Sequence, residues 1–552
     1  MSSNIFYTGI KKSKTGKDVP VLANGRTFFS EYNPERDIQF YAAAPSVKYS
    51  GFILVGGLGD GSHIRALHDA NPTALLMVLE RNRETIDYLF SESICNAEIK
   101  ANPSILFTTP ETLGTDLKNA YIPVLHGTFL YHPIKAWQLA YEQLAYQACG
   151  GGSSLKDAIQ DTLHDIAADY STQARFGKLM HTNVLKNLRL LSNSVKKGLV
   201  LNSSDIIQLA AKYKEAAVIG AGPSLDDSIK VLKENPGRFF IISTDTAYRT
   251  LYRNGINPNI IVTLDGQISS IAHFIGIDSP ETIVAADICA NAAAARHLMG
   301  KGHKLFFFTT GHPLGTLVNS WYKNNCKFGA NDISHQKTDA TVTMPCTLQT
   351  ETCAPLLPYL DAGFGTVLSA AADLAVKSGF RSILFFGADF AYKSGKPYTQ
   401  GTYLDEIYSI NANRLSSSEI AFCSLCYRTE LTKLKDAMYT TPLLASYKRH
   451  MESFINSRPS SFKFISSSSL TNDDTQQISC FKHEEIKYSS QALSFDYDSF
   501  LSFFLEHLKN KDNSLLYTIL PFATWIKEKE KNADIKNIMD IFEKAAQITA
   551  LH

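Results

Sequence analysis

The 552-residue sequence contains no G-x-x-x-x-G-K-[ST] stretch, so a P-loop kinase or ATPase is not expected. It has almost no net charge: 54 Lys and Arg stand against 53 Asp and Glu, a formal balance of +1. Such a chain has no general basic field with which to grip nucleic acid, and any anionic ligand must be held by local geometry. No run approaches the roughly 18 consecutive apolar residues of a membrane span. The opening MSSNIFYTGIKKSKTGKDVP carries basic residues but neither the apolar centre nor the small-residue cleavage site of a secretory signal, so a cytoplasmic protein is expected. Cysteine is scarce, nine residues spread from Cys95 to Cys480, an odd count that fits reduced thiols better than a disulfide framework. Cys423 and Cys426 make one C-x-x-C with no second pair and no His at finger spacing, and packing is the reading for both. No short-period repeat occurs. With 20 Pro, 32 Gly, 44% hydrophobic and 19% charged residues, collagen-like, coiled-coil and wholly disordered classes are excluded.

What is there points to several α/β units. At roughly 150 residues per domain the length suggests two to four. Residues 1–150 read as a Rossmann-like front domain: FILVGGLGDGSHIRALHDA is an apolar strand, a glycine turn and a helix, and ALLMVLE is a second strand ending in Glu80. Gly57, Gly59 and Gly61 form G-x-G-x-G with Ser62 next, and Glu80 follows 19 residues after Gly61. A nucleotide or S-adenosylmethionine site and a purely structural turn both fit that pattern. Residues 151–205 are polar and helix-favouring, with Leu185, Leu188, Leu191 and Val195 at helical spacing, and suggest a connector. In the central domain, 206–470, the runs AAVIG, FFIIS, IIVTL, TIVAA, KLFFF and ILFFG predict a mostly parallel sheet covered on both faces. The strand signal fades past residue 400. SSSSLTNDDTQQ, residues 466–477, reads as a linker, and 471–552 as a helical C-terminal domain.

Ligands of parallel sheets sit outside the carboxyl ends of the strands, and there the candidate residues fall. After the first central strand comes VIGAGPSLDDSIKVL. Gly220 and Gly222 let the backbone approach a ligand, Pro223 stiffens the turn, and Ser224 or Gly222 can cap the helix that follows. Helix N–H groups and the positive dipole end can then hold a phosphate without Lys or Arg. Asp245, Asp265, Asp287 and Asp389 each stand at or just past a strand end. Four acids repel a phosphate unless they face ribose hydroxyls, an amino group, a metal or an acceptor proton. The plainer reading is that Asp ends strands and caps helices. Thr366 and Ser369 flank the start of another helix and suggest a second anion site, and Tyr392 and Tyr398 are neutral donors for phosphate oxygens.

These residues carry a resemblance. Gly220-Ala221-Gly222-Pro223-Ser224-Leu225, Asp245 in STDTAYRTLYRNGINPNIIVTLDGQ, and GADFAY resemble the motility-associated factor (Maf) family of flagellin glycosyltransferases. That central domain is similar in turn to bacterial CMP-sialic-acid-dependent sialyltransferases. The resemblance covers roughly residues 200–400, and the three-part layout agrees with it. It implies transfer of a nonulosonic acid, of the pseudaminic or legionaminic type, from a CMP donor to Ser or Thr hydroxyls of flagellin. It also implies that Gly220, Gly222, Pro223 and Ser224 hold the CMP phosphate and ribose. Asp245 falls where the sialyltransferases have an Asn against the nucleotide. Gly387 and Asp389 would contact ribose or cytosine, with Tyr392 and Tyr398 near the leaving phosphate. Ala391 turns the relatives' D-F-Y into DFAY and shifts the tyrosine register, and no histidine before His450 matches the sialyltransferases' catalytic one. Asp265 and His312, the latter in TTGHPLG, are the candidate bases.

The same region also resembles archaeal 6-hydroxymethyl-dihydropterin diphosphokinase, which implies an ATP- and Mg-dependent enzyme acting on a pterin. The flanking residues, some 200 before and 150 after, favour a macromolecular acceptor. A non-catalytic flagellar partner and a front-domain methyltransferase are the other readings.

Overall fold

The computed structural model describes residues 6–149, 154–325, 354–363, 365–435, 437–458, 460–465, 493–529 and 538–552. The linker expected at 466–477 lies outside them. Two compact units are present, Met1–Gly177 with Ala523–Ala533, and Lys178–Phe522 with Asp534–His552. The helix-favouring stretch 151–205 contains a helix of 41 residues, Leu155–Val195.

In the first unit, β1 (Tyr7–Lys12) and β2 (Asp18–Leu22) form an antiparallel ribbon. A parallel sheet follows, made of β3 (Phe52–Gly56), β4 (Leu75–Leu79), β5 (Ile105–Thr108) and β6 (Phe129–Pro133) in the order β5-β4-β3-β6. β3 is buried along its whole length, as an unbroken apolar run covered on both faces must be.

The second unit is built on seven parallel strands: β7 (Glu215–Ile219), β8 (Phe239–Thr244), β9 (Ile260–Thr263), β10 (Ile283–Asp287), β11 (Leu305–Phe308), β12 (Ser382–Phe386) and, beyond a small three-stranded sheet, β16 (Ser461–Ile465). Their order is β11-β10-β9-β8-β7-β12-β16. The chain builds outward from β7 to β11, then returns to place β12 on the other flank of β7. The topological switch point therefore lies between β7 and β12, where an open α/β sheet has its crevice. All six apolar runs of the central sequence are strands of this sheet. β16 is the seventh, and the sequence hid it: SFKFI is half-exposed at the sheet edge and lacks a continuous apolar run. β13 (Tyr392–Lys393), β14 (Thr432–Lys433) and β15 (Met438–Thr440) form the small antiparallel sheet.

Helix Val367–Lys377 lies on β7, β8 and β9. Its Ala370, Ala371, Ala372 and Ala375 are wholly buried, and methyl-sized side chains are what let helix and sheet approach closely. At the end of the second unit, helix Tyr497–Lys509 buries Phe500, Phe504 and Leu508. Trp321 packs edge-on against Phe500, and His181 sits beside Phe504 and Phe522.

Candidate functional site

Two turns meet at the switch point. Gly220 to Ser224 leave β7, and Gly387 to Asp389 leave β12. Gly220 N donates to Phe386 O at 2.8 Å, continuing the strand ladder, and Gly222 N donates to Gly387 O at 2.8 Å. The contact explains the glycines directly. A Cβ on Gly220 would lie 2.5 Å from Gly387 O, one on Gly222 would overlap Asp389 Oδ2, and Gly387 has φ +61° with Gly220 O against it. Asp389 Oδ2 accepts from Ser224 N at 2.9 Å. Burial raises the Asp389 pKa, and its hydrogen bond to Ser224 opposes that shift. Ser224 is the N-cap of helix Leu225–Glu234, with no capping bond from its own side chain. The amide expected to meet a phosphate is thus occupied by a carboxylate of the same chain.

A loop crosses over the same helix start. Thr399 N donates to Ala221 O at 2.9 Å, Gln400 N donates to Asp226 Oδ1 at 2.9 Å, and the Thr399 hydroxyl donates to Asp226 as well. Lys393 Nζ pairs with Asp227 Oδ2 at 2.7 Å. These contacts bring Tyr398 and Tyr403 to the carboxyl edge. The Tyr398 hydroxyl is pushed up to about 12 by burial and by the neighbouring Tyr403, Tyr392 and Asp245. Tyr403 is raised by burial, by Asp265, and by Tyr408 and Asp245. Tyr392 is half-buried in β13, opposite Tyr439.

All four strand-end aspartates lie on this edge, in different states. Asp287 is spent on structure: its oxygens accept from Cys289 N at 2.6 Å and Thr310 N at 2.9 Å, and burial raises its pKa. Asp389 holds Ser224. Asp245 is buried at the start of helix Asp245–Arg253, with Oδ2 accepting from Thr263 Oγ1 at 2.8 Å and Oδ1 from Thr246 N at 2.7 Å. Asp265 is half-exposed; Oδ1 accepts from Gln267 N at 2.8 Å, and no hydrogen bond reaches Oδ2 among the described residues. Its turn is held from behind. Asn183 Nδ2 donates to Gly266 O and Cys289 O, both at 3.0 Å, and Asn187 Nδ2 to Ile288 O and Ala290 O at 2.9 and 2.8 Å.

Other candidates stand apart. His312 follows β11, four strand positions from β7, which at about 4.8 Å per strand is about 19 Å along the sheet. Its Nδ1 accepts from Leu314 N at 3.2 Å, its Nε2 is buried without a partner among the described residues, and burial lowers its pKa to about 4. Thr366 caps helix Val367–Lys377 by accepting from Ser369 N at 3.0 Å, and its hydroxyl meets the Ser369 hydroxyl at 2.8 Å. Both hydroxyls are therefore engaged with the helix start. His273 was not singled out from sequence, because a lone histidine in GQISSIAHF carries no pattern. It closes the 3-10 turn Ile268–His273 after β9, and its ring packs edge-on against Tyr403 with centroids 4.4 Å apart. Among the described residues no group of three or more His, Cys, Asp or Glu side chains is arranged to hold a metal ion.

The whole chain aligns with the solved structure of a Maf glycosyltransferase from Magnetospirillum magneticum AMB-1, covering 86% of that chain with a TM-score of 0.50 and 13% identity. The chain shares the fold of a Maf glycosyltransferase. A family model described as 6-hydroxymethylpterin diphosphokinase MptE-like matches residues 189–353. Two uncharacterized proteins of Treponema pallidum (strain Nichols) are each 27% identical to it. One match covers 175 residues, 31% of this chain and 76% of the relative; the other covers 261 residues, 46% and 71%.

Within this Maf-like fold the front glycine turn is packed by its own chain. Glu80 is wholly buried and accepts from Trp137 Nε1 and Arg81 N at 2.8 Å, Leu58 N at 2.9 Å and the Tyr7 hydroxyl at 3.0 Å. A Cβ on Gly59 would strike the Phe28 ring at 2.6 Å, and one on Gly57 would strike Phe28 and Trp137 at 2.8 Å. Gly57 and Gly59 thus admit aromatic rings, and the acid expected to meet a ribose binds four donors of its own unit. Cys423 is exposed and Cys426 buried in helix Ser418–Cys426, both as free thiols. No helix among the described residues is long and apolar enough to cross a membrane.

Proposed function

We propose that this protein is a glycosyltransferase that moves a nonulosonic acid from its CMP-activated donor to Ser or Thr hydroxyls of flagellin. The observation that supports this best is the set of half-buried tyrosines and incompletely bonded carboxylates at the carboxyl edge of a parallel sheet, in a fold shared with a Maf glycosyltransferase. The chemistry asks for two things. A departing phosphate needs neutral donors, which Tyr392 and Tyr398 supply. The acceptor alcohol needs a nearby base, and Asp265 is the better placed of the two candidates because His312 stands four strands from the switch point. In this reading Gly220, Gly222, Pro223 and Ser224 carry the nucleotide on the turn, and the phosphate reaches the Ser224 amide only by displacing Asp389.

The match of residues 189–353 to the MptE-like family favours a second reading, an ATP- and Mg-dependent diphosphokinase acting on a pterin. A ligand that binds only the folded state raises its stability by about 2.7 kcal/mol at a hundredfold excess over Kd. Thermal melts separate the readings. CMP raises Tm under the glycosyltransferase reading and ATP with Mg under the diphosphokinase reading, while S-adenosylmethionine leaves Tm unchanged because the front turn is filled. A melt indifferent to millimolar CMP sinks the glycosyltransferase assignment.

A further inference from the structure

Of the buried polar atoms at the carboxyl edge that have no partner among the described residues, two belong to His273 and Thr244. His273 is 6% exposed with an unpartnered Nδ1, and no hydrogen bond to either ring nitrogen is found among the described residues. Thr244 is 5% exposed and its Oγ1 is likewise unpartnered. Thr244 stands at the N-cap of helix Asp245–Arg253, where a threonine hydroxyl ordinarily takes a helix amide, yet this one makes no capping bond. Leaving such groups unpaired is unfavourable, so each asks for an explanation. Beside them stand Asp245, Asp265 with its free Oδ2, and the rings of Tyr398 and Tyr403. Neither aspartate forms an ion pair among the described residues. The nearby Arg249 is engaged with Glu406 and Ile275 O, and Arg253 with Glu406.

That set discriminates between ligand chemistries. Two carboxylates without a cation repel a phosphate or another carboxylate. They accept hydrogen bonds from hydroxyls, as an unprotonated imidazole nitrogen does, and a threonine hydroxyl both gives and receives. Tyrosine rings offer apolar surface to the C–H face of a ring. We propose that Thr244, Asp245, Asp265, His273 and Tyr403 form a subsite for an uncharged, hydroxyl-bearing sugar surface, beside the place where the phosphate binds. The inference rests on the glycosyltransferase reading and names the part of the substrate this half of the crevice takes. Two sugar surfaces have that chemistry, the ribose of the nucleotide and the hydroxyl-bearing side of the transferred acid that lies away from its carboxylate.

Thr244→Val and His273→Phe test it in the full-length protein, with calorimetric titration of CMP and of CMP-pseudaminic acid and with melts of the unliganded protein. Each substitution removes an unpaired polar atom, so the unliganded Tm is expected to hold or rise while affinity falls tenfold or more. Loss toward both ligands assigns the subsite to ribose. Loss toward CMP-pseudaminic acid alone assigns it to the transferred sugar. Variants that bind both ligands within twofold of wild type overturn the subsite and leave the glycosyltransferase reading standing, and an unliganded Tm that drops in both variants marks the residues as structural and overturns it as well. Wild-type protein that binds neither ligand overturns the reading and the subsite together.

Discussion

At the scale of single residues, the joint between the turns after β7 and β12 is the most constrained point of the second unit. Gly222 faces Asp389 so closely that a methyl group cannot fit, and Asp389 holds the Ser224 amide. Gly222→Ala is therefore expected to cost about 1–3 kcal/mol, the range for forcing extra volume into a packed site. Asp389→Ala, which strands the Ser224 N–H, should cost a similar amount. The double variant should cost less than the sum, because removing the carboxylate relieves the closest clash and leaves only Gly387 O, 2.7 Å from the added methyl; urea unfolding of the four proteins measures that coupling. The motif was legible in the sequence and its physics was not. Glycine spacing tells of a close approach without telling what approaches, and here the partner is another turn of the same chain. The same holds at Gly57 and Gly59, where Phe28 and Trp137 fill the space.

Among the elements, helix Leu155–Val195 reaches the turns after β9 and β10 through Asn183 and Asn187. Each side-chain amide bridges two carbonyls, so Asn187→Ala removes two buried hydrogen bonds and is expected to lower stability by about 1–3 kcal/mol in a denaturant titration. Asn183→Ala frees the Gly266 carbonyl next to Asp265. Under the proposed function it should lower kcat more than it lowers Tm, measured by transfer rate and melt on the same preparation. Sequence periodicity found the helix through Leu185, Leu188 and Leu191 but assigned no task to the asparagines, since a side-chain amide reveals its partner only when the turns it grips are in place. β16 escaped for the opposite reason: an edge strand with half-exposed residues needs no apolar run, so it leaves no pattern to read.

For the whole molecule, three histidines whose pKa values are lowered by burial set an acid limit. Burial lowers His63 and His312 to about 4 and His181 to about 3, with nearby His312 and His552 contributing to the last. The unfolded chain binds protons on these rings near pH 6.5, and the folded chain does not until pH is far lower. Their stabilisation is complete above about pH 6.5 and is lost progressively as pH falls toward 4 and then 3. Melts from pH 8 to 4 should fall on the acid side, and His181→Phe, a ring packed between Phe504 and Phe522, should flatten that slope. By itself the sequence determined the fold class and the edge on which the candidate residues lie, because continuous apolar runs separated by helical stretches allow little besides a covered parallel sheet. It also placed the four aspartates at or just past strand ends. Only the tertiary structure decided which of them are spent on turns, that His312 lies four strands away, and that His273 and Thr244 stand unpaired among the described residues near Asp265 and Asp245. Strand order and side-chain partners are set by contacts between residues far apart in the chain, and no local pattern records them.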